Sequence, residues 1–142
     1  MRISTKGRYA LVLMLDLAMY DSGGPVRLKD VARRQQISEK YLEQIISILN
    51  KAGFVKSIRG PQGGYRLRYE PEKYTVGMIL RQTEGELSPV CYEDEESRER
   101  EAVISRIWVQ MESAVNGVVD KITLSDLMDW QAEHIEEGEY VI

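Results

Sequence analysis

Ser38, Lys40, Tyr41 and Gln44 lie close together and present a hydroxyl, an ammonium, a phenol and a carboxamide. These groups suit hydrogen bonding to base edges and phosphates. A glutamine amide can bond adenine at two points, and a tyrosine can meet a phosphate or a thymine methyl. Farther along, Arg59-Gly60-Pro61-Gln62-Gly63-Gly64 sets one arginine among three glycines and a proline. Removing side chains around an arginine lets the backbone approach a duplex and the guanidinium enter a minor groove. Lys6, Arg8, Lys56 and Arg66 add cations able to neutralise phosphates. Glu43 is discordant, because a carboxylate on that face repels phosphate. It can accept from a cytosine amino group, exclude other sequences, or pair with an arginine.

Other chemistries lack their residues. Cys91 is the one cysteine and His134 the one histidine. That excludes an internal disulfide, a metal site built from several cysteines of one chain, and a multi-histidine site. No nucleophile–base pair stands out. The Gly60–Gly64 loop lacks the Lys-Ser/Thr pair of a phosphate-binding loop. An enzyme is not expected.

Positioning those side chains requires particular elements. Residues 5–21 have Thr5 as a candidate cap and apolar spacing at Leu11, Met14, Leu15 and Ala18, which predicts a central buried helix ended by Gly23-Gly24-Pro25. Residues 27–36 predict a short second helix, with Leu28, Val31 and Ala32 inward and Lys29, Arg33 and Arg34 outward. The third helix starts at Ser38, whose hydroxyl can cap it, with Ile37 and Leu42 placed as a hydrophobic staple. Its buried stripe is Leu42, Ile45, Ile46 and Leu49, and Gly53 ends it. Phe54–Ile58 and Tyr65–Tyr69 read as strands, followed by a helix over 75–84. Two short helices, a tight turn and a hairpin make a winged helix-turn-helix. The fold class expected is mainly α with a small β-hairpin, plus a long dimerisation helix.

That long helix is expected over 98–121, about 36 Å at 1.5 Å per residue. Val103, Ile107, Met111, Ala114, Val115, Val118 and Ile122 form its apolar stripe, widened by Trp108 and Val119. A small head cannot cover it, so a second copy is the expected partner, making a homodimer. Two heads would then read half-sites about 34–36 Å apart. Thr123 and Asp126 start a last helix, whose acidic end after Ile135 is expected to fray. The organisation expected is a DNA-binding unit over 1–85, an acidic loop with Cys91 over 86–97, and dimerisation and C-terminal helices over 98–142.

Charge follows the same division. Residues 1–70 carry thirteen Lys/Arg and six Asp/Glu, a net +7, whereas residues 71–142 carry six and seventeen, a net −11. A basic half suits a polyanion such as double-stranded DNA. The chain's only long apolar run, Ala10–Met19, is too short to span a bilayer. A cytoplasmic protein with no membrane partner is therefore expected.

At these residues the sequence resembles the BadM/IscR/CymR/NsrR-type winged-helix regulators of bacteria. The resemblance rests on the opening Met1-Arg2-Ile3-Ser4-Thr5-Lys6-Gly7-Arg8-Tyr9-Ala10, on Tyr41-Leu42-Glu43-Gln44, on Arg59 to Tyr65, and on Ile122-Thr123-Leu124. It covers nearly the whole chain. It implies a homodimeric transcription factor, repressor or activator, acting on genes of iron–sulfur cluster biogenesis or cysteine metabolism. Ser38, Tyr41, Gln44, Arg59 and Gly60 carry over as DNA contacts. Lys40 stands where a small residue is common. Cluster-binding relatives place three cysteines before the dimerisation helix. Here Cys91 holds the first position, while the second falls near Ser97 or a neighbouring residue and the third near Ala102. Acids substitute poorly for soft thiolates, so no cofactor is expected for the chain as it stands. Two alternatives follow: a cluster-free regulator answering to an effector protein, or a sensor whose other cysteines have been replaced, with Cys91 the remnant of its iron–sulfur site. A different class would be a protein-interaction module acting through the acidic half.

Overall fold

The computed structural model describes residues 1–140. Within them the chain forms α1 (Thr5–Met19), α2 (Leu28–Gln35), α3 (Glu39–Lys51), β1 (Val55–Ile58), β2 (Gly64–Leu67), α4 (Val76–Glu84), α5 (Glu95–Arg100), α6 (Ser105–Val119) and α7 (Leu124–Tyr140), with short 3-10 turns at Asp21–Gly23 and Pro71–Lys73. The last two residues of the expected C-terminal segment lie outside those described.

α1 is the centre of the head. Ala10, Leu13, Met14 and Leu17 are fully buried against Val31, Leu42, Ile45, Leu49, Val55 and Ile79. Ser4 rather than Thr5 caps α1: its extended backbone leaves the hydroxyl facing back, and it accepts from the Gly7 amide at 3.0 Å. The cap expected at Ser38 is present, with its Oγ accepting from the Tyr41 amide at 3.3 Å. Ile37 and Leu42 are both buried, as a staple requires.

Arg34 does not face outward. It reaches back to α1, where Asp16 is wholly buried and accepts from the guanidinium at 2.6 and 3.1 Å. Gln35 Nε2 donates to the same carboxylate at 2.9 Å. The Arg34 guanidinium lies 3.8 Å from the Tyr20 ring centre. A buried carboxylate requires such partners, and this one ties α1 to α2.

The hairpin pairs Val55 with Leu67, Lys56 with Arg66, Ser57 with Tyr65 and Ile58 with Gly64. A bridge from Val26 to Tyr65 adds a third line of backbone bonds, at 2.7 and 2.9 Å. Gly64 permits it, since a Cβ there would stand 2.5 Å from the Val26 carbonyl oxygen. β2 ends before the expected Tyr69 because the buried Tyr74 phenol takes over. It accepts from the Arg68 and Tyr69 amides at 3.1 and 3.0 Å and donates to the Phe54 carbonyl at 2.6 Å. Burial pushes this phenol above its ordinary pKa and keeps it a neutral donor.

The expected continuous helix over 98–121 is broken. α5 ends at Arg100, and residues 101–104 form tightened turns with Ala102 N–H to the Glu99 carbonyl at 3.2 Å and Ile107 N–H to the Ile104 carbonyl at 2.9 Å. Two β-branched residues, Val103 and Ile104, sit at the break, and the Ser105 hydroxyl donates to the Ala102 carbonyl at 2.8 Å. Such back-bonding competes with the regular ladder. α6 alone has fifteen residues, about 22 Å.

α6 also returns to its own head. Val115, Val119 and Ile122 pack on Val76, Leu80 and Leu87. Val115 and Ile122 thus spend apolar surface within the chain, in contrast to the expectation that the whole stripe would await a partner. Val103, Ile107, Met111, Ala114 and Val118 remain exposed. Thr123 and Asp126 exchange reciprocal bonds at 2.9 and 3.0 Å, which start α7 as expected. α7 then runs helical through the acidic end to Tyr140, and Leu124 is buried in the head's main core.

The joint between α4 and α6 is polar. Arg81 donates to both Asp120 oxygens at 2.7 and 2.9 Å and to Asn116 at 2.7 Å. The guanidinium's hydrogen bond holds the Asp120 carboxyl below the usual carboxylate range. A lowered folded-state pKa contributes stability that is complete above the unfolded value, about 4, and lost as pH falls through the folded value. A carboxyl-detected NMR titration should place Asp120 below the ordinary aspartate range. In Arg81→Gln it should return to the ordinary range. An unchanged Asp120 would show that the pair does not persist in solution.

Candidate nucleic-acid interface

α3 exists as a reading element because its two faces differ. Leu42, Ile45, Ile46 and Leu49 are buried, while Lys40, Glu43, Gln44 and Ser47 are exposed. The cap at Ser38 satisfies the Tyr41 amide and fixes where the first turn begins. The turn from α2 depends on Gln36, which has φ 55°, a left-handed backbone rarely adopted outside glycine.

Ser38, Lys40, Tyr41 and Gln44 share an open groove of about 450 Å³ with Thr5, Tyr9, Gln36 and Ile37. The structure therefore brings four expected contact residues together and adds four more. Tyr9 meets the Tyr41 ring edge to face, with centroids 5.7 Å apart, so Tyr41 is half-buried and its ring is fixed by α1. Thr5 and Tyr9 sit opposite α3 through tertiary packing of α1, which spacing within α3 could not disclose, whereas Gln36 and Ile37 belong to the turn that leads into α3.

The remaining expected cations are distributed over α1 and the hairpin. Lys6 is half-buried and Arg8 exposed on α1, and Lys56 is exposed on β1. Arg66 is less free than expected. Its Nε lies 3.1 Å from Asp21 Oδ1, directly across the ladder from Lys56. Like charges placed opposite are unfavourable, and Asp21 offsets that repulsion. Arg59 is exposed at the end of β1, and the neighbouring Gly60 has φ 109°. Arg27, just before α2, donates to the Pro61 carbonyl. The wing is thereby tied to the helix-turn-helix by a contact that no local pattern announces.

Cys91 is exposed in the loop before α5. No helix among the described residues is long and apolar enough to cross a membrane.

The arrangement can present a helix face to a wide groove and a glycine-flanked arginine to a narrow one. Comparisons with known proteins agree with it. The Rrf2 family, described as an iron-dependent transcriptional regulator, matches residues 3–130. The HTH-type transcriptional regulator CymR of Bacillus subtilis (strain 168) is 48% identical over 131 residues, which is 92% of this chain and 91% of that protein. Among solved structures, CymR, the global cysteine regulator of B. subtilis, superposes with a TM-score of 0.78 at 44% identity, covering 92% of this chain and 98% of that one. IscR of T. potens gives a TM-score of 0.78 at 41% identity, covering 94% and 90%. The expected fold and non-enzymatic class are those of these relatives. With its helix-turn-helix, glycine-rich wing and near full-length match, this chain belongs to the Rrf2 family of DNA-binding transcriptional regulators.

Proposed function

We propose that the chain is a homodimeric, sequence-specific regulator of cysteine metabolism genes that works without an iron–sulfur cluster. The observation that carries the DNA reading is the shared groove of Ser38, Lys40, Tyr41 and Gln44 beside a capped helix with an exposed polar face. Gln44 and Arg59 read bases. Lys6, Arg8, Lys40 and Lys56 hold phosphates, and Arg66 does so less strongly because Asp21 competes for it.

The choice of target genes draws support from the 48% identity to CymR. The similarity to IscR keeps cluster biogenesis genes as a second reading. The residues present do not fit a cluster. Cys91 is the only thiol of the chain, Ala102 has no donor atom, and the Ser97 hydroxyl is a hard oxygen that already accepts from Arg100 Nη2 at 3.3 Å. Anaerobic reconstitution with iron and sulfide should leave the protein colourless. A visible absorption band with stoichiometric iron would overturn the cluster-free reading.

For base reading, the test is anisotropy titration against a duplex selected from a random library. Arg59→Ala should weaken binding to the best duplex by about 1–3 kcal/mol and relax its sequence preference. An equal loss on every sequence would reduce Arg59 to a phosphate contact.

Dimerisation draws support from the exposed row Val103, Ile107, Met111 and Val118, which are 76%, 49%, 43% and 58% exposed. Burying each such side chain gains about 1.5–3 kcal/mol before entropic costs. Ile107→Glu places a charge in that row and should yield a monomer by light scattering. A wild-type monomer at micromolar concentration would remove the dimer from the proposal.

A further inference from the structure

The tip of the wing is a closed turn with a single hold on the head. Beyond the last ladder pair, Ile58 with Gly64, the chain turns through Gly60-Pro61-Gln62-Gly63, and the Gly63 amide donates to the Gly60 carbonyl at 2.9 Å. Pro61 takes the second position of this turn, where its fixed φ suits the backbone. A Cβ on Gly63 would stand 2.2 Å from the Ile58 carbonyl oxygen, so the turn lies tightly over the strand end. A two-stranded hairpin is marginal by itself, and the base of this one is held by the Val26–Tyr65 bridge. Among the described residues, the one hydrogen bond from residues 59–63 to anything outside the hairpin is donated by Arg27 Nη2 to the Pro61 carbonyl. The Arg27 backbone is fixed at the start of α2, where its carbonyl accepts from the Asp30 and Val31 amides at 3.0 and 3.2 Å. Its guanidinium is in no ion pair among the described residues, so no carboxylate draws it from the wing.

We propose that Arg27 is a positioning residue for sequence recognition. It fixes the wing tip against the start of α2, so that Arg59 enters the narrow groove in register with the α3 side chains in the wide one. Arg27 itself does not touch the DNA. This role rests on the reading that Arg59 contacts bases. A charge-assisted bond to a carbonyl is stronger than a neutral one, and it grips the turn two residues from Arg59. Holding the tip before binding removes an ordering cost otherwise met on the duplex. The gain falls on matched duplexes, because only there does Arg59 need a set position. Unmatched duplexes are held through phosphates, which carry no sequence information.

In anisotropy titrations of the full chain, Arg27→Ala should lower the ratio of matched to unmatched affinity by about threefold to tenfold. The slope of log affinity against log salt should stay at its wild-type value. Arg27→Lys, which keeps a donor of similar reach, should restore most of the ratio. In an Arg59→Ala background, Arg27→Ala should change the ratio no further. On the DNA-free protein, proton–nitrogen NOEs of the Gly60, Gln62 and Gly63 amides report picosecond-to-nanosecond motion. They should fall in Arg27→Ala and not in Arg27→Lys, with unchanged thermal melts. Equal losses on every duplex, with a slope shallower by about one unit per head, would make Arg27 a phosphate contact and overturn the proposal. So would amide NOEs that stay at wild-type values in Arg27→Ala, or a loss that persists in full without Arg59. If Arg59→Ala leaves the ratio intact, base reading by Arg59 falls and takes this proposal with it. A ratio lowered by Arg59→Ala but untouched by Arg27→Ala overturns the role of Arg27 alone.

Discussion

Raising the salt from 50 to 200 mM is expected to weaken binding to the selected duplex by about 10³–10⁵-fold, the range for six to ten neutralised phosphates. In the proposed dimer, Lys6, Arg8, Lys40 and Lys56 on each of two heads would reach that range without Arg66, whose guanidinium is held by Asp21. The logarithm of affinity should fall linearly with the logarithm of salt concentration. Lys56→Gln should make the slope shallower by about one unit per head, with equal losses on matched and unmatched duplexes. A flat salt response would remove double-stranded DNA as the partner, whatever the family resemblance.

The net charge of −4 argues superficially against so steep a response. Distance resolves the conflict. Exposed charges more than about 8 Å apart are largely screened at physiological ionic strength, so carboxylates on other elements cancel little of the field of cations at the groove. The acidic residues of α7 and of the loop before α5 belong to other elements than α1, α3 and the hairpin. A protein of negative total charge can therefore bind a polyanion through one face. If Lys6, Lys40 and Lys56 were each replaced by Gln, binding should be lost while the melting temperature stays near wild type, because none of the three is in an ion pair among the described residues.

What could be read from the sequence was local. The Ser38 cap, the Ile37–Leu42 staple, the four-residue buried stripe of α3 and the Thr123–Asp126 box are defined by residues within a turn or two of one another. The structure keeps each of them. Misreadings arose where a distant residue decides. Arg34 has the periodicity of a solvent-facing position, yet Asp16, eighteen residues earlier, draws it inward. Tyr9 gives no local sign of reaching α3, and Arg27 none of reaching the wing. Val115 and Ile122 look like the rest of their stripe until α4 and Leu87 offer an intramolecular surface. The break at 101–104 has a local ingredient in Val103, Ile104 and Ser105, but an apolar stripe continuing through it outweighs them in a periodicity reading.

Asp16→Ala should be the most destabilising polar substitution in the head, at about 3–5 kcal/mol, the usual cost of removing one partner from a buried pair. The Asp16 side chain is fully buried and that of Arg34 is 24% exposed. Without the carboxylate, Arg34 and Gln35 lose three hydrogen bonds, and α2 loses its polar tie to α1. Because α2 supports the turn through Gln36 to the Ser38 cap, the loss should reach the reading helix before global unfolding. For a chain of this size the melting temperature should fall by roughly 10 °C or more. Asp16→Asn should cost less, since it retains a carbonyl acceptor. Replacing Asp16 and Arg34 together by leucine should recover much of the stability, because two apolar groups leave no unpaired charge. The double-mutant cycle therefore separates the pair's net contribution from the penalty of stranding one partner. A single Asp16→Ala variant that melts within a degree or two of wild type would mean that water reaches Arg34 freely, and the tie between α1 and α2 would have to be sought in apolar packing alone.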